Sequence, residues 1–137
     1  QEHEDDIPIE NLQKIISQAK KILQPFHKFD TVLSNLNIFS DVVVVEVHDG
    51  GKIGKLNREL QAIPEIKKMK FDYPDYLPHI SIAHFKNNQE FARLISCLEE
   101  LRETKLGDLS VNRIELVNAH LHERYITLKT IHAFELR

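Results

Sequence analysis

His79-Ile80-Ser81-Ile82, which follows Tyr76-Leu77-Pro78, sets an imidazole and a hydroxyl two residues apart. In an extended chain, residues i and i+2 share a face. His79 and Ser81 are therefore expected to project together, with Ala83 and Phe85 following them, while Ile80, Ile82 and His84 point the other way. A ring that gains or loses a proton near neutral pH, beside a hydroxyl that donates a hydrogen bond, suits an anionic group such as a phosphate. Pro78 fixes φ and has no N–H for a ladder, so it suits the entry to a strand. Ile80 and Ile82 are expected to anchor that strand on a core.

Other groups with chemical potential carry less specific signals. Tyr125-Ile126-Thr127-Leu128 repeats the spacing with a phenol in place of the imidazole. Tyr125 and Thr127 can hydrogen-bond a phosphate, and Tyr125 can stack on a base, but an ordinary phenol pKa of about 10 makes a poor general base. The plainer reading is strand surface. His120 and His122 share a face of a strand, and His132 offers a third nitrogen, a donor set known for zinc. No carboxylate behind them is identifiable from sequence. His84 reads as a satisfied, partly buried ring, and His27 and His48 fall at strand ends. His3, beside Glu4 and Asp5, reads as part of a terminal segment. Lys67, Lys68 and Lys70 suit either a basic lip beside an anionic substrate or a solvated loop, the commoner meaning of a short charge cluster. Cys97 lies at the edge of an apolar stripe and reads as packing.

These residues must be held by elements of two periods. Ile9, Leu12, Ile15, Ile16, Ala19, Ile22 and Leu23 recur at helical spacing, from a start near Asp6 to a stop at Pro25. Residues 26–36 read as a strand with Phe29, Thr31 and Leu33 on one face, and Asn35 and Asn37 suit a turn or bulge. Val42-Val43-Val44-Val45-Glu46-Val47 is the strongest strand, and its unbroken β-branched run predicts a central place buried on both faces. Asp49-Gly50-Gly51 closes it. Ile53, Leu56, Leu60 and Ile63 mark a second helix that ends at Pro64. Asn87 or Asn88 can cap a third helix, whose stripe is Phe91, Leu94, Ile95, Leu98 and Leu101. Gly107 leads to two last strands, 110–121 and 125–136, with Glu123 and Arg124 at the hairpin tip. The order α-β-β-α-β-α-β-β, with short β-β links, predicts an α+β fold of helices packed on antiparallel sheet.

The chain has 137 residues, a size that suits one domain over residues 1–137. A net charge of −3 argues against a broad basic surface for long duplex nucleic acid. One cysteine excludes an internal disulfide and a cysteine-based zinc cluster. No apolar run approaches the roughly 20 residues of a membrane helix. A soluble, reducing compartment, the cytoplasm, is the expected location.

The His-x-Ser-x pattern after a proline, on a β-branched strand, resembles the 2H phosphoesterase superfamily, also called the 2′-5′ RNA ligase-like family. That family carries two His-x-Thr/Ser motifs, one from each half of a two-lobed fold, and His79-Ile80-Ser81-Ile82 looks like the second. Residues 29–39, the valine strand, the helix to Ile63 and the His79 strand follow in the family's order. The resemblance implies that the first motif belongs before Gln1 and that the opening strand of the fold is missing from this chain. It further implies a metal-independent, cofactor-free phosphodiesterase acting on 2′,3′-cyclic or 2′-5′ phosphodiester bonds of RNA or nucleotides. His79 is then one of the acid/base pair and Ser81 a phosphate ligand, with a nucleotide or RNA-end phosphate as partner. Two other classes stay open on the residues alone: a non-catalytic nucleotide- or RNA-end-binding module that keeps one half-site, and a structural or interaction domain.

Overall fold

The computed structural model describes residues 7–39, 41–66, 77–85 and 91–137. Among these lie, in chain order, α1 (Ile9–Leu23), β1 (Phe29–Phe39), β2 (Val42–His48), α2 (Lys52–Gln61), β3 (His79–His84), α3 (Phe91–Glu100), β4 (Lys105–Val111), β5 (Arg113–Leu121) and β6 (Ile126–Glu135). The α+β class holds, with antiparallel sheets and three helices. The chain divides into two compact units, one formed by Gln1–Lys28, Leu56–Asp72 and Val111–Arg137, the other by Phe29–Lys55 and Tyr73–Ser110.

The second of these units holds a four-stranded sheet in the order β3-β2-β1-β4. β2 takes the interior place its valines predict: Val43, Val44, Val45 and Val47 are all buried, Val44 completely. β1 turns back into β2 antiparallel, with Phe39 opposite Val42 and Val32 opposite His48. Asn35 is the extra residue of a bulge in β1, with φ at 60°. Left-handed backbone is costly for most side chains, and asparagine is among the few that adopt it readily. The bulge lets β1 run on to Phe39 rather than end near Leu36.

β4 is a strand that sequence patterning missed. Lys105-Leu106-Gly107-Asp108-Leu109-Ser110-Val111 lacks a β-branched run, and Gly107-Asp108 reads as a turn. Pairing with β1 overrides that local preference. The buried Thr31 hydroxyl donates to the Leu109 carbonyl at 2.9 Å, and the Asn35 N–H donates to the Thr104 carbonyl at 3.4 Å. Numbers fall on β4 as they rise on β1, so this pair is antiparallel too. Asn112 alone separates β4 from β5, which lies in the other sheet.

The Asp49 carboxylate, two residues before the helix-capping position, accepts from the N–H groups of Gly51 (2.9 Å) and Ile53 (2.6 Å) at the start of α2, across a turn in which Gly50 and Gly51 have positive φ. In the other unit, α1 buries Ile15, Ala19 and Leu23, whereas Ile9 is exposed. Pro8 stands at its N-cap without a side-chain bond. The proposed caps Asp6, Asn87 and Asn88 lie outside the described residues, as do His3, Lys67, Lys68 and Lys70. α3 buries Leu98 but leaves Phe91 and Cys97 exposed, as is Leu101 just beyond it, so Cys97 is not core packing. β5 and β6 form an antiparallel hairpin whose turn carries Glu123 and Arg124, as expected.

The strand carrying His79 corrects one expectation. Among the described residues β3 is the edge strand rather than an interior one, and all six of its residues are exposed. Ile80 is 37% and Ile82 55% exposed, so neither anchors it in a core. Truncation separates the two kinds of site. Val44→Ala, at a fully buried position, should cost about 2–3 kcal/mol in urea unfolding, and Ile82→Ala no more than about 0.5 kcal/mol.

Candidate functional site

β3 lies antiparallel to β2 with His79 opposite Glu46, Ile80 opposite Val45 and Ser81 opposite Val44. Directly opposed residues share a face. His79 and Ser81 therefore do project together, in line with Glu46 and Val44, and both are exposed. Ile82 is the extra residue of a bulge, since Ala83 already pairs with Val43 and His84 with Val42. That bulge resets the alternation. Ala83 falls on the Ile80 face, and His84 falls on the face of His79 and Ser81, the reverse of strict period-two reading. Nothing in the sequence between Ile80 and His84 signals the extra residue.

Among the described residues, two contacts hold the His79 ring. Its Nδ1 lies 2.7 Å from the Leu77 carbonyl, and its edge meets the Phe39 ring at a centroid distance of 5.4 Å and an interplanar angle of 87°. A carbonyl oxygen only accepts, so Nδ1 carries the proton in the neutral ring and Nε2 keeps its lone pair. Leu77 is placed for this by the ladder: the Val47 N–H donates to the Pro78 carbonyl at 3.0 Å, which continues β3 pairing past His79. The sequence places a strand here but does not show the tautomer, which depends on the turn of backbone before Pro78.

Beside His79 on the same face sits Glu46, whose side chain is 16% exposed. Asn37 Nδ2 donates to Glu46 Oε1 at 3.3 Å, and His48 Nε2 lies 3.3 Å from Oε2. Burial pushes the Glu46 carboxyl up, but hydrogen bonds from Asn35, Asn37 and His48, with attraction to His48, outweigh it and hold the group below the ordinary carboxylate range. This cluster escaped sequence reading. Its one signal is that Glu46 is the only polar residue inside the valine run.

The other sequence-derived candidates lie on the β5–β6 hairpin. His120 pairs with Thr127, and beyond them the His122 N–H donates to the Tyr125 carbonyl at 2.8 Å, so Tyr125 and Thr127 share a face with both histidines. His132 pairs with Leu116 and packs its ring on Phe134 at 4.6 Å. Among the described residues, no group of three or more His, Cys, Asp or Glu side chains is arranged to hold a metal ion, so the three-histidine zinc reading does not stand. No helix among them is long and apolar enough to cross a membrane.

Residues 4–123 match the model of the 2′-5′ RNA ligase superfamily. The chain belongs to that superfamily, whose members are the 2H phosphoesterases. Its fold is similar to that of TT0787 of Thermus thermophilus, with a TM-score of 0.68 at 17% sequence identity over 96% of this chain and 73% of that one. No curated protein matches the chain at a significant level. The superfamily is one of phosphodiester chemistry, and His79-Ile80-Ser81 is the one His-x-Ser/Thr sequence among the eight histidines here.

The Glu46 cluster makes a pH-dependent contribution whose sign follows from its lowered pKa. A carboxyl held below its unfolded value stabilises the fold above that value, about 4.3, and loses the contribution as pH falls through the folded pKa. Urea unfolding of wild type and Glu46→Gln should therefore differ most near neutral pH and converge below about pH 4. A gap that stays constant down to low pH would show that the Glu46 charge adds nothing.

Proposed function

We propose that this chain supplies one half-site of a metal-independent phosphodiesterase acting on 2′,3′-cyclic or 2′-5′ phosphodiester bonds in RNA or nucleotides. The observation that supports it most is the held ring of His79, with Nδ1–H committed to the Leu77 carbonyl and Ser81 on the same face. In this reading the neutral ring takes a proton at Nε2 from the attacking water or hydroxyl. The resulting imidazolium keeps its Nδ1–H bond to the carbonyl, whose partial negative charge stabilises it. In the reverse sense the imidazolium gives its Nε2 proton to the leaving oxygen. The Ser81 hydroxyl donates to a non-bridging phosphate oxygen and stabilises charge that grows in the transition state.

The reaction needs a second proton carrier. His84 shares the face but lies five residues along an extended strand, about 16 Å at roughly 3.3 Å per residue. One phosphate cannot span that distance. The family resemblance assigns the counterpart to the other His-x-Thr/Ser motif, which is not among these 137 residues. The partner is then a nucleotide or RNA-end phosphate, and the location fitting that partner is the cytoplasm.

The test is hydrolysis of a nucleoside 2′,3′-cyclic phosphate and a 2′-5′ dinucleotide by the intact protein in EDTA. His79→Ala should lower kcat/KM by roughly 10²–10⁴-fold. Ser81→Ala removes one charge-assisted hydrogen bond and should cost about 1–3 kcal/mol. The rate should fall on both sides of a pH optimum, since one imidazole works neutral and the other protonated. An unchanged rate in folded His79→Ala protein would sink the proposal. Retained binding of the cyclic phosphate with no turnover would favour a non-catalytic binding module.

A further inference from the structure

Near its tip the β5–β6 hairpin has one apolar and one polar face. Leu121 pairs with Ile126 and Ala119 with Leu128 on the first, whereas His120 pairs with Thr127 and Asn118 with Lys129 on the second. His122 and Tyr125, one step further along each strand, belong to the polar face by alternation. Three rings meet there. The His122 imidazole is stacked on the Tyr125 phenol with centroids 4.3 Å and planes 22° apart, and His120 meets His122 edge-on at 4.6 Å. A hydrogen bond of 3.1 Å between His122 Nε2 and Thr127 Oγ1 ties down the middle ring. The group is open to solvent, Tyr125 being 61% exposed, so it serves no core.

We infer that this face is a stacking platform for the bases of a nucleotide or single-stranded nucleic acid. Rings already held against one another lose little freedom when a further ring is added, and every base offers a π-face regardless of its identity. Thr127 and Asn118 present hydrogen-bonding groups to a base edge. Lys129 on the same face, with Arg124 in the turn, supplies positive charge for the connecting phosphates. With a net charge of −3 the whole chain does not attract polyanions, so this local pair carries the backbone contact. The inference concerns the hairpin alone and stands whether or not His79 turns over a phosphodiester.

The experiment is NMR of the full chain, following the ring signals of His120, His122 and Tyr125 during titration with single-stranded tetrauridylate and, separately, with ribose 5-phosphate. Tetrauridylate should move the His122 and Tyr125 ring signals by ring-current shifts, and ribose 5-phosphate should leave them in place. Tyr125→Ala should weaken tetrauridylate binding roughly tenfold or more, while Tyr125→Phe, which keeps the ring face, should bind like wild type. Equal shifts from ribose 5-phosphate would reduce the face to an anion site and overturn the inference. Absence of shifts, or wild-type affinity in Tyr125→Ala, would overturn it as well. Because these reporters sit on the hairpin, a failure of phosphodiester hydrolysis leaves the readout intact.

Discussion

β3 has no apolar face of its own to keep it in place: Ile80 and Ile82 are both exposed. Main-chain pairing to β2 holds it, and β2 in turn is fixed by four buried valines. The position of the His79 site thus depends on a ladder rather than on side-chain burial beneath it. That has a mechanical consequence. An edge strand held by one row of hydrogen bonds is among the less protected parts of a sheet, so its two ends need separate fixing. The Val47–Pro78 bond secures the entry, and a 2.8 Å bond from the Phe85 N–H to the Asp41 carbonyl secures the exit. His79 and Ser81 lie between these two pins.

The same ladder decides which charges face the site. Glu46 stands opposite His79, an odd neighbour for a site proposed to receive a phosphate. A carboxylate repels phosphate. The hydrogen bonds from Asn35, Asn37 and His48 keep this one ionised, engage its oxygens and tie it to β1. Asn35 can take part because it sits in the left-handed bulge of β1. The bulge is therefore a piece of the electrostatics as well as of the strand path.

Legibility in the sequence followed the strength of the periodic signal. The valine strand, the three helices, the hairpin turn at Glu123-Arg124 and the shared face of His79 and Ser81 were all readable, because burial and alternation leave their mark over many residues. β4 was not readable, since Lys105-Leu106-Gly107-Asp108 reads as a turn and only its pairing with β1 makes it a strand. The side of the sheet taken by His84 was not readable either. One bulged residue reverses every later assignment along a strand, and the bulge at Ile82 arises from pairing with β2, not from any residue type. Glu46 escaped for a similar reason: two of its three partners, 9 and 11 residues away in sequence, meet it only across the β1–β2 pairing.

The two sheets differ in how they treat imidazoles, and the difference bears on what each can do. His79 is singled out: its Nδ1 proton is committed to a backbone carbonyl, which leaves the lone pair of the neutral ring on Nε2. His122 has its Nε2 engaged by the Thr127 hydroxyl, a partner that can either donate or accept. A hydroxyl follows either tautomer, whereas a carbonyl selects one. The His79 environment therefore defines a direction for proton transfer and the hairpin does not. The hairpin instead fixes ring planes, through the Tyr125 stack and the His120 edge contact, which is what a surface for flat ligands requires. On the roles proposed for them, proton chemistry falls to the strand that begins after Pro78 and base stacking to the hairpin, each following from what its imidazole is bonded to.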